Sequence, residues 1–274
     1  MNVLGKLVRM NRLRNPVSGR IFTVALDHAP SYGVLSGLEN IASVLEQVAE
    51  GEPDAIMLMK GTAAGCYAPY AGKIPLILKC STLSVWHPER DVWVNSVEDA
   101  LRLGADAIAM AITIGSDEQP EILKNLAQLV REAEGVGLPV IAHAYPNGAF
   151  VPDDERYSAA QVSYAARLVM EVGVDIVKTF FTGSRHSFAE VVQAAAPAYV
   201  VAAGGPRLDT VDDAFHMAHE VVLAQATGIT FGRNIWQSGD IPNMIRALSH
   251  IIHREGTPAE AHEIYATAPH NGPV

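Results

Sequence analysis

The stretch Gly228-Ile-Thr-Phe-Gly232 decides the fold, because it is the eighth of a series of short apolar runs. The seven before it are IFTVAL at 21–26, AIMLM at 55–59, PLIL at 75–78, AIAMAIT at 107–113, PVIAHAY at 139–145, DIVKTFF at 175–181 and YVVAA at 199–203. Runs apolar on both faces suit a parallel sheet buried beneath helices, and the helical patterns between them supply the crossovers. A doubly wound open sheet would explain much of this alternation. The eighth run favours closure, so the reading is α/β, a single (β/α)8 TIM barrel.

The junctions repeat. Gly51-Glu-Pro-Asp54, Gly104-Ala-Asp106 and Gly173-Val-Asp175 precede the second, fourth and sixth runs, with glycine suited to ending the preceding helix in a left-handed turn. Pro75, Pro139 and Pro197 mark the third, fifth and seventh. After the eighth run, GRNIWQSGDIPNMIRALSHIIHREG reads as a short helix from near Asn234, a break at Gly239 to Pro242, and a longer helix. An extra short helix here is the usual arrangement of a barrel phosphate site.

With 274 residues, 49% of them hydrophobic, the chain supports one large core and one domain, 1–274. The basic segment 1–20 is expected to cap the barrel's bottom, and the tail, about 266–274, to be loose. A net charge of −10 argues against nucleic-acid binding, which needs clustered cations. The absence of an apolar run of about 18 residues argues against a membrane span, and the expected location is the cytoplasm. Cys66, Cys80 and the scattered histidines form no metal-ligand spacing, so no metal is expected.

Barrel chemistry sits at the carboxyl ends of strands. Three of the six lysines, Lys60, Lys79 and Lys178, fall there. A lone strand-end lysine usually snorkels to water, but three converging in an acidic protein suggest a site. An imine-forming amine must be neutral, and both an apolar pocket and neighbouring cations lower a lysine's pKa. Lys178, between Ile176-Val177 and Thr179-Phe180-Phe181, meets both conditions; Lys79 is the second candidate and Lys60 a substrate-binding or structural one. Asp27, closing VALDHA, must be paired or functional in that apolar setting. His28 is a proton carrier or a hydrogen-bonding partner, Tyr145 a rim phenol able to pass a proton, and His143 a polar wall residue on the same face. Gly204 and Gly205, with Gly232 and Arg233, form two turns after the seventh and eighth runs, where barrels hold phosphate.

ALDHA at 25–29, YPNG at 145–148, DIVKTFFTG at 175–183, AAGGPR at 202–207 and FGRNIWQS at 231–238 are the motifs by which the chain resembles the archaeal-type class I fructose-bisphosphate aldolases and their DeoC/FbaB/LacD relatives. Among those relatives are heptulosonate synthases and the thiolase acting on phosphorylated autoinducer-2. The resemblance covers roughly residues 20–265. It implies that Lys178 forms the imine, that Asp27 is the acid/base and Tyr145 the proton-transferring tyrosine, and that Gly204, Gly205, Gly232 and Arg233 hold phosphate. Lys60, Lys79, His28 and His143 join them as substrate-binding candidates. His143 and Asn147 depart from the family, which often has an aromatic residue and an arginine there; both positions bear on substrate length and on a second phosphate contact. Tyr145 favours the aldolase and synthase branches, while the C-terminal stretch resembles the thiolase branch.

The expected activity is therefore a cofactor-free class I aldolase, cleaving or forming a C–C bond in a phosphorylated ketose, with a small phosphorylated sugar or ketone as partner. A transaldolase-like synthase, a coenzyme A-dependent thiolase, a metal-dependent aldolase and a non-catalytic phosphometabolite-binding barrel are the competing readings. The resemblance also implies a homo-oligomer, such as a ring.

Overall fold

The computed structural model describes residues 3–267. Eight parallel strands, β1 (Ile21–Ala25), β2 (Ala55–Met59), β3 (Leu76–Lys79), β6 (Ala107–Thr113), β7 (Val140–Tyr145), β8 (Ile176–Phe180), β9 (Tyr199–Ala203) and β10 (Gly228–Phe231), coincide with the eight apolar runs. They close into a barrel in the order β1-β10-β9-β8-β7-β6-β3-β2. The closing pair is β1 with β10, Ile21 lying beside Gly228 and Val24 beside Phe231. A side chain at Gly228 would strike the Ile21 carbonyl oxygen at 1.9 Å, so this seam requires glycine.

Successive side chains on a strand point to opposite faces. Ile21, Ala25, Ala55, Met57, Ile77, Ala109, Ile141, Ile176 and Val201 fill the barrel interior. Their neighbours Phe22, Val24, Ile56, Leu58, Leu76, Ile108, Val140 and Val177 face the helix layer. Both faces are dry, which is why the runs are apolar without alternation. The interior positions also fix the site: two residues on from Ile77 is Lys79, from Ile141 is His143, and from Ile176 is Lys178, so all three lie in the layer above the apolar plug.

The helices cover the outside. In α6 (Gln119–Val136), Ile122, Leu126, Leu129, Val130 and Ala133 form the buried stripe, and Gly137 ends the helix at φ 64°. Gly104 and Gly173 take the expected left-handed turn at φ 70° and 103°. The first junction differs: Glu52 takes the left-handed conformation at φ 58°. Gly51 is kept instead by packing, since a Cβ there would lie 2.6 Å from the Ile245 Cβ.

The basic start of the chain becomes helix α1 (Val3–Leu13), which plugs the barrel's amino-terminal mouth with Met10 and Leu13. The junction aspartates hold the same end together. Lys6 pairs with Asp175 at 2.9 Å and Arg12 with Asp106 at 3.2 Å, while Arg9 donates to the carbonyls of Val136 and Gly137. The remaining oxygen of Asp175 accepts from the Val140 N–H, and Asp54 accepts from that of Phe22.

Two departures from the sequence reading matter. After β3 the chain forms an antiparallel hairpin, β4 (Ser81–Ser84) and β5 (His87–Trp93), before helix α5 (Val97–Arg102). No apolar run marked it, because β5 carries only one buried residue, Asp91. The final helix α12 runs from Pro258 to Thr267, so residues 266 and 267 are helical, and the rest of the tail expected to be loose lies outside the described residues. No helix among the described residues is long and apolar enough to cross a membrane.

Candidate active site

The carboxyl ends of the strands surround one pocket. Asp27, His28, Lys79, His143, Tyr145, Lys178, Gly204, Gly205, Gly232 and Arg233 all line it. Lys60 does not join them. It is the first residue of helix α4 (Lys60–Cys66), its side chain is 51% exposed, and its amine pairs with Asp99 at 2.7 Å. The strand has ended at Met59, so Lys60 has already turned outward onto the rim.

The two remaining lysines differ in what holds them. Lys79 Nζ donates to the Ser81 carbonyl at 2.6 Å and to the Ser81 hydroxyl at 2.9 Å. Among the described residues, no hydrogen bond or ion pair engages the amine of Lys178, although its side chain is buried. Burial, helped by the charges of Lys79 and Arg233 against the pull of Asp27, brings its pKa down to about 8. Burial alone would raise the Asp27 carboxyl, but the positive charges around it, Lys178 foremost, hold it below the usual carboxylate range. Asp27 is thus a resident anion beside an amine that loses its proton easily.

The histidines are neutral members of this wall. Burial, with Lys178 and Arg233 nearby, brings His28 down to about 4, so its 3.6 Å approach to Asp27 is not an ion pair at neutral pH. His143, beside Lys178 in the β7–β8 register, is pushed well below its ordinary value by burial and by the lysine charges. Tyr145 stacks on Phe180, with ring centroids 4.6 Å apart. Burial pushes its phenol well above the ordinary value, so it stays protonated and is available as a donor.

The loops after β9 and β10 meet through Asn234. Its amide donates to the Gly204 carbonyl at 2.8 Å and its oxygen accepts from the Leu208 N–H at 2.8 Å. Gly205 is left-handed at φ 68°, while a Cβ on Gly232 would lie 2.4 Å from His28 Cε1, so backbone approaches the pocket where side chains cannot. Arg233 sits over the Tyr32 ring, 5.3 Å from its centroid, and its Nε is buried without a partner. Backbone and a guanidinium with spare donor capacity form a fitting cradle for an anion.

Several lining residues were not found from sequence: Tyr32, Asp91, Thr113 and Phe180. Phe180 and Thr113 lie inside runs that read simply as strand. Asp91 sits in a charged stretch, HPERDVW, that reads as solvated loop; the missing signal was the hairpin that folds it back.

A family model described as DeoC/LacD family aldolase matches residues 21–238. The chain belongs to that family. It is 32% identical over 263 residues to a 2-amino-3,7-dideoxy-D-threo-hept-6-ulosonate synthase of Halobacterium salinarum, covering 95% of this chain and 96% of the relative. It is 32% identical over 252 residues to a 2-amino-4,5-dihydroxy-6-oxo-7-(phosphonooxy)heptanoate synthase of Streptomyces griseus, covering 91% of each. A solved archaeal fructose-1,6-bisphosphate aldolase, with its catalytic lysine covalently bound to the carbinolamine intermediate of the substrate, superposes with a TM-score of 0.82 at 28% identity, over 90% of this chain and 99% of that one. The DeoC/LacD member described here is accordingly a class I aldolase, a carbon–carbon lyase that works through a lysine Schiff base.

Proposed function

We propose that Lys178 is the Schiff-base lysine and that the substrate is a ketone carrying a phosphate close to its carbonyl. The observation that carries this is the contrast among the three strand-end lysines. Lys60 is paired on the rim and Lys79 is tied to Ser81, whereas the buried amine of Lys178 is unengaged and titrates at about 8. The phosphate rests against Gly204, Gly205, Gly232 and the Arg233 guanidinium, adjacent to β8.

Neutral Lys178 adds to the ketone carbon, and the carbinolamine loses water with a proton supplied by Tyr145. In the cleavage direction Asp27 or the Tyr145 phenolate takes the β-hydroxyl proton. The C–C bond breaks, an aldehyde leaves and the bonding pair passes into the iminium, giving an enamine. Reprotonation and hydrolysis release the phosphorylated ketone. Capture of the enamine by a second aldehyde instead gives a transfer reaction, and the two synthases with 32% identity favour this outcome over plain fructose-bisphosphate cleavage.

Borohydride reduction in the presence of dihydroxyacetone phosphate, followed by peptide mapping, tests the assignment. A reduced adduct on Lys178 is expected. An adduct on Lys79, or none with any phosphorylated ketone, refutes it.

A further inference from the structure

Tyr32 lines the pocket, yet it has no part in the chemistry above. It is 54% exposed, so its ring is not there to fill a core. Its hydroxyl makes no hydrogen bond among the described residues. The ring, by contrast, lies 6.1 Å from that of His28 between centroids and carries the Arg233 guanidinium carbon 5.3 Å above its own. The guanidinium has little else to hold it. No hydrogen bond or ion pair engages it among the described residues, and its Nε is buried without a partner.

The local structure delivers the ring to that place. After β1 the chain forms the short helix α2 (Ala29–Tyr32), in which Ser31 and Tyr32 donate their N–H groups to the His28 carbonyl, and it turns away at Gly33, φ 81°. The Ser31 hydroxyl lies 3.4 Å from that of Thr82 on β4, which steadies α2 from one side. On the other side the His28 ring meets Trp236 edge-on, with centroids 5.4 Å apart. Trp236 ends helix α10 (Arg233–Trp236), which Arg233 begins, and its indole N–H donates to the Ala25 carbonyl at 3.2 Å. The two helices therefore meet twice, His28 on Trp236 and Tyr32 on Arg233, and the first contact sets the distance of the second. An arginine that receives an anion faces a conflict. Its long side chain must be held beforehand, or capture of the ligand costs rotamer freedom. A carboxylate would hold it but would occupy its donors and cancel its charge. An aromatic face attracts the cation while leaving the N–H groups in its plane free.

We infer that Tyr32 is a positioning residue: its ring holds the Arg233 guanidinium at the pocket, charged and with its donors free, so that a substrate phosphate is captured without first ordering the arginine. This rests on the reading of Arg233 as a phosphate ligand, and a double-mutant cycle separates the two. The half-saturating concentration and maximal rate of borohydride-trapped imine formation are measured with dihydroxyacetone phosphate and with dihydroxyacetone, in the native protein, Tyr32→Leu, Tyr32→Phe, Arg233→Met and the Tyr32→Leu/Arg233→Met double variant. Tyr32→Leu is expected to raise the half-saturating dihydroxyacetone phosphate concentration about 3- to 30-fold, the range of an aromatic–cation contact, while its maximal rate and its response to dihydroxyacetone stay within about twofold of native. Tyr32→Phe keeps the ring and should keep the native value, and Tyr32→Leu should add nothing once Arg233 is replaced. Four results overturn the inference: a change below about twofold in Tyr32→Leu, an equal rise for dihydroxyacetone, a Tyr32→Phe variant as weak as Tyr32→Leu, or an effect of Tyr32→Leu that persists in the double variant. An unchanged dihydroxyacetone phosphate value in Arg233→Met alone would instead remove the underlying phosphate reading.

Discussion

The pH dependence of imine formation should report the surroundings of Lys178 directly. An amine with a pKa of about 8 is about 9% neutral at pH 7, against about 0.03% at the ordinary lysine value of 10.5, a gain of roughly 300-fold in reactive amine. The trapped-imine rate, measured in single turnovers at saturating dihydroxyacetone phosphate and quenched with borohydride between pH 6 and 10, should rise tenfold per pH unit and level off near 8. Neighbouring charges act with known signs. Lys79 lowers the Lys178 pKa, so Lys79→Met should move the inflection upward, each unit costing tenfold in rate at pH 7. Asp27 raises it, so Asp27→Asn should move the inflection downward even where the maximal rate collapses for want of the carboxylate. Because the two shifts are opposite, a general loss of structure cannot imitate them. A native inflection in the ordinary lysine range, or a downward shift in Lys79→Met, would refute the assignment.

Other outcomes follow from particular contacts. Arg233→Met should raise KM for a phosphorylated ketone about 10- to 100-fold, the worth of a charged hydrogen bond, while leaving the unphosphorylated ketone nearly unaffected in steady-state kinetics. Tyr145→Phe keeps the stack on Phe180 but removes the proton donor, so kcat should fall by about 10²- to 10⁴-fold, the range for general acid–base catalysis, with a smaller change in KM. Gly232→Ala places a methyl 2.4 Å from the His28 ring and 3.0 Å from the Ala25 carbonyl; thermal denaturation should show a loss of about 1–3 kcal/mol, as overpacking does, together with weaker phosphate binding. Asp175→Ala strips partners from both Lys6 and the Val140 N–H at the opposite end of the barrel, so stability should drop by about 1–3 kcal/mol in urea titration while kcat stays intact.

How much the sequence disclosed depended on whether a residue's neighbours in the chain were also its neighbours in space. The strands were legible because a buried parallel barrel writes itself as apolar runs, and Lys178 stood out as a charge inside one of them. Lys60 looked equivalent because sequence position gives strand ends only to within a residue, and one residue past Met59 separates a pocket-facing amine from one paired with Asp99 on the rim. Gly51 showed the same limit: its spacing matched Gly104 and Gly173, but the left-handed conformation fell on Glu52, and packing against Ile245 keeps the glycine. Asp91 was hidden for a deeper reason. Its stretch is polar, short and flanked by exposed residues, and what buries it is a hairpin registered on Ser81, ten residues earlier and tied through Ser81 to Lys79 and to the Ala111 N–H on β6. The barrel supplies the reacting lysine from its regular part, where pattern suffices, and closes the far side of the pocket with an irregular insertion, where it does not. Loops and insertions carry selectivity in barrels because they vary without disturbing the strands. By the same reasoning, the part of this pocket least legible in the sequence is the part best placed to distinguish this enzyme's substrate from those of its relatives.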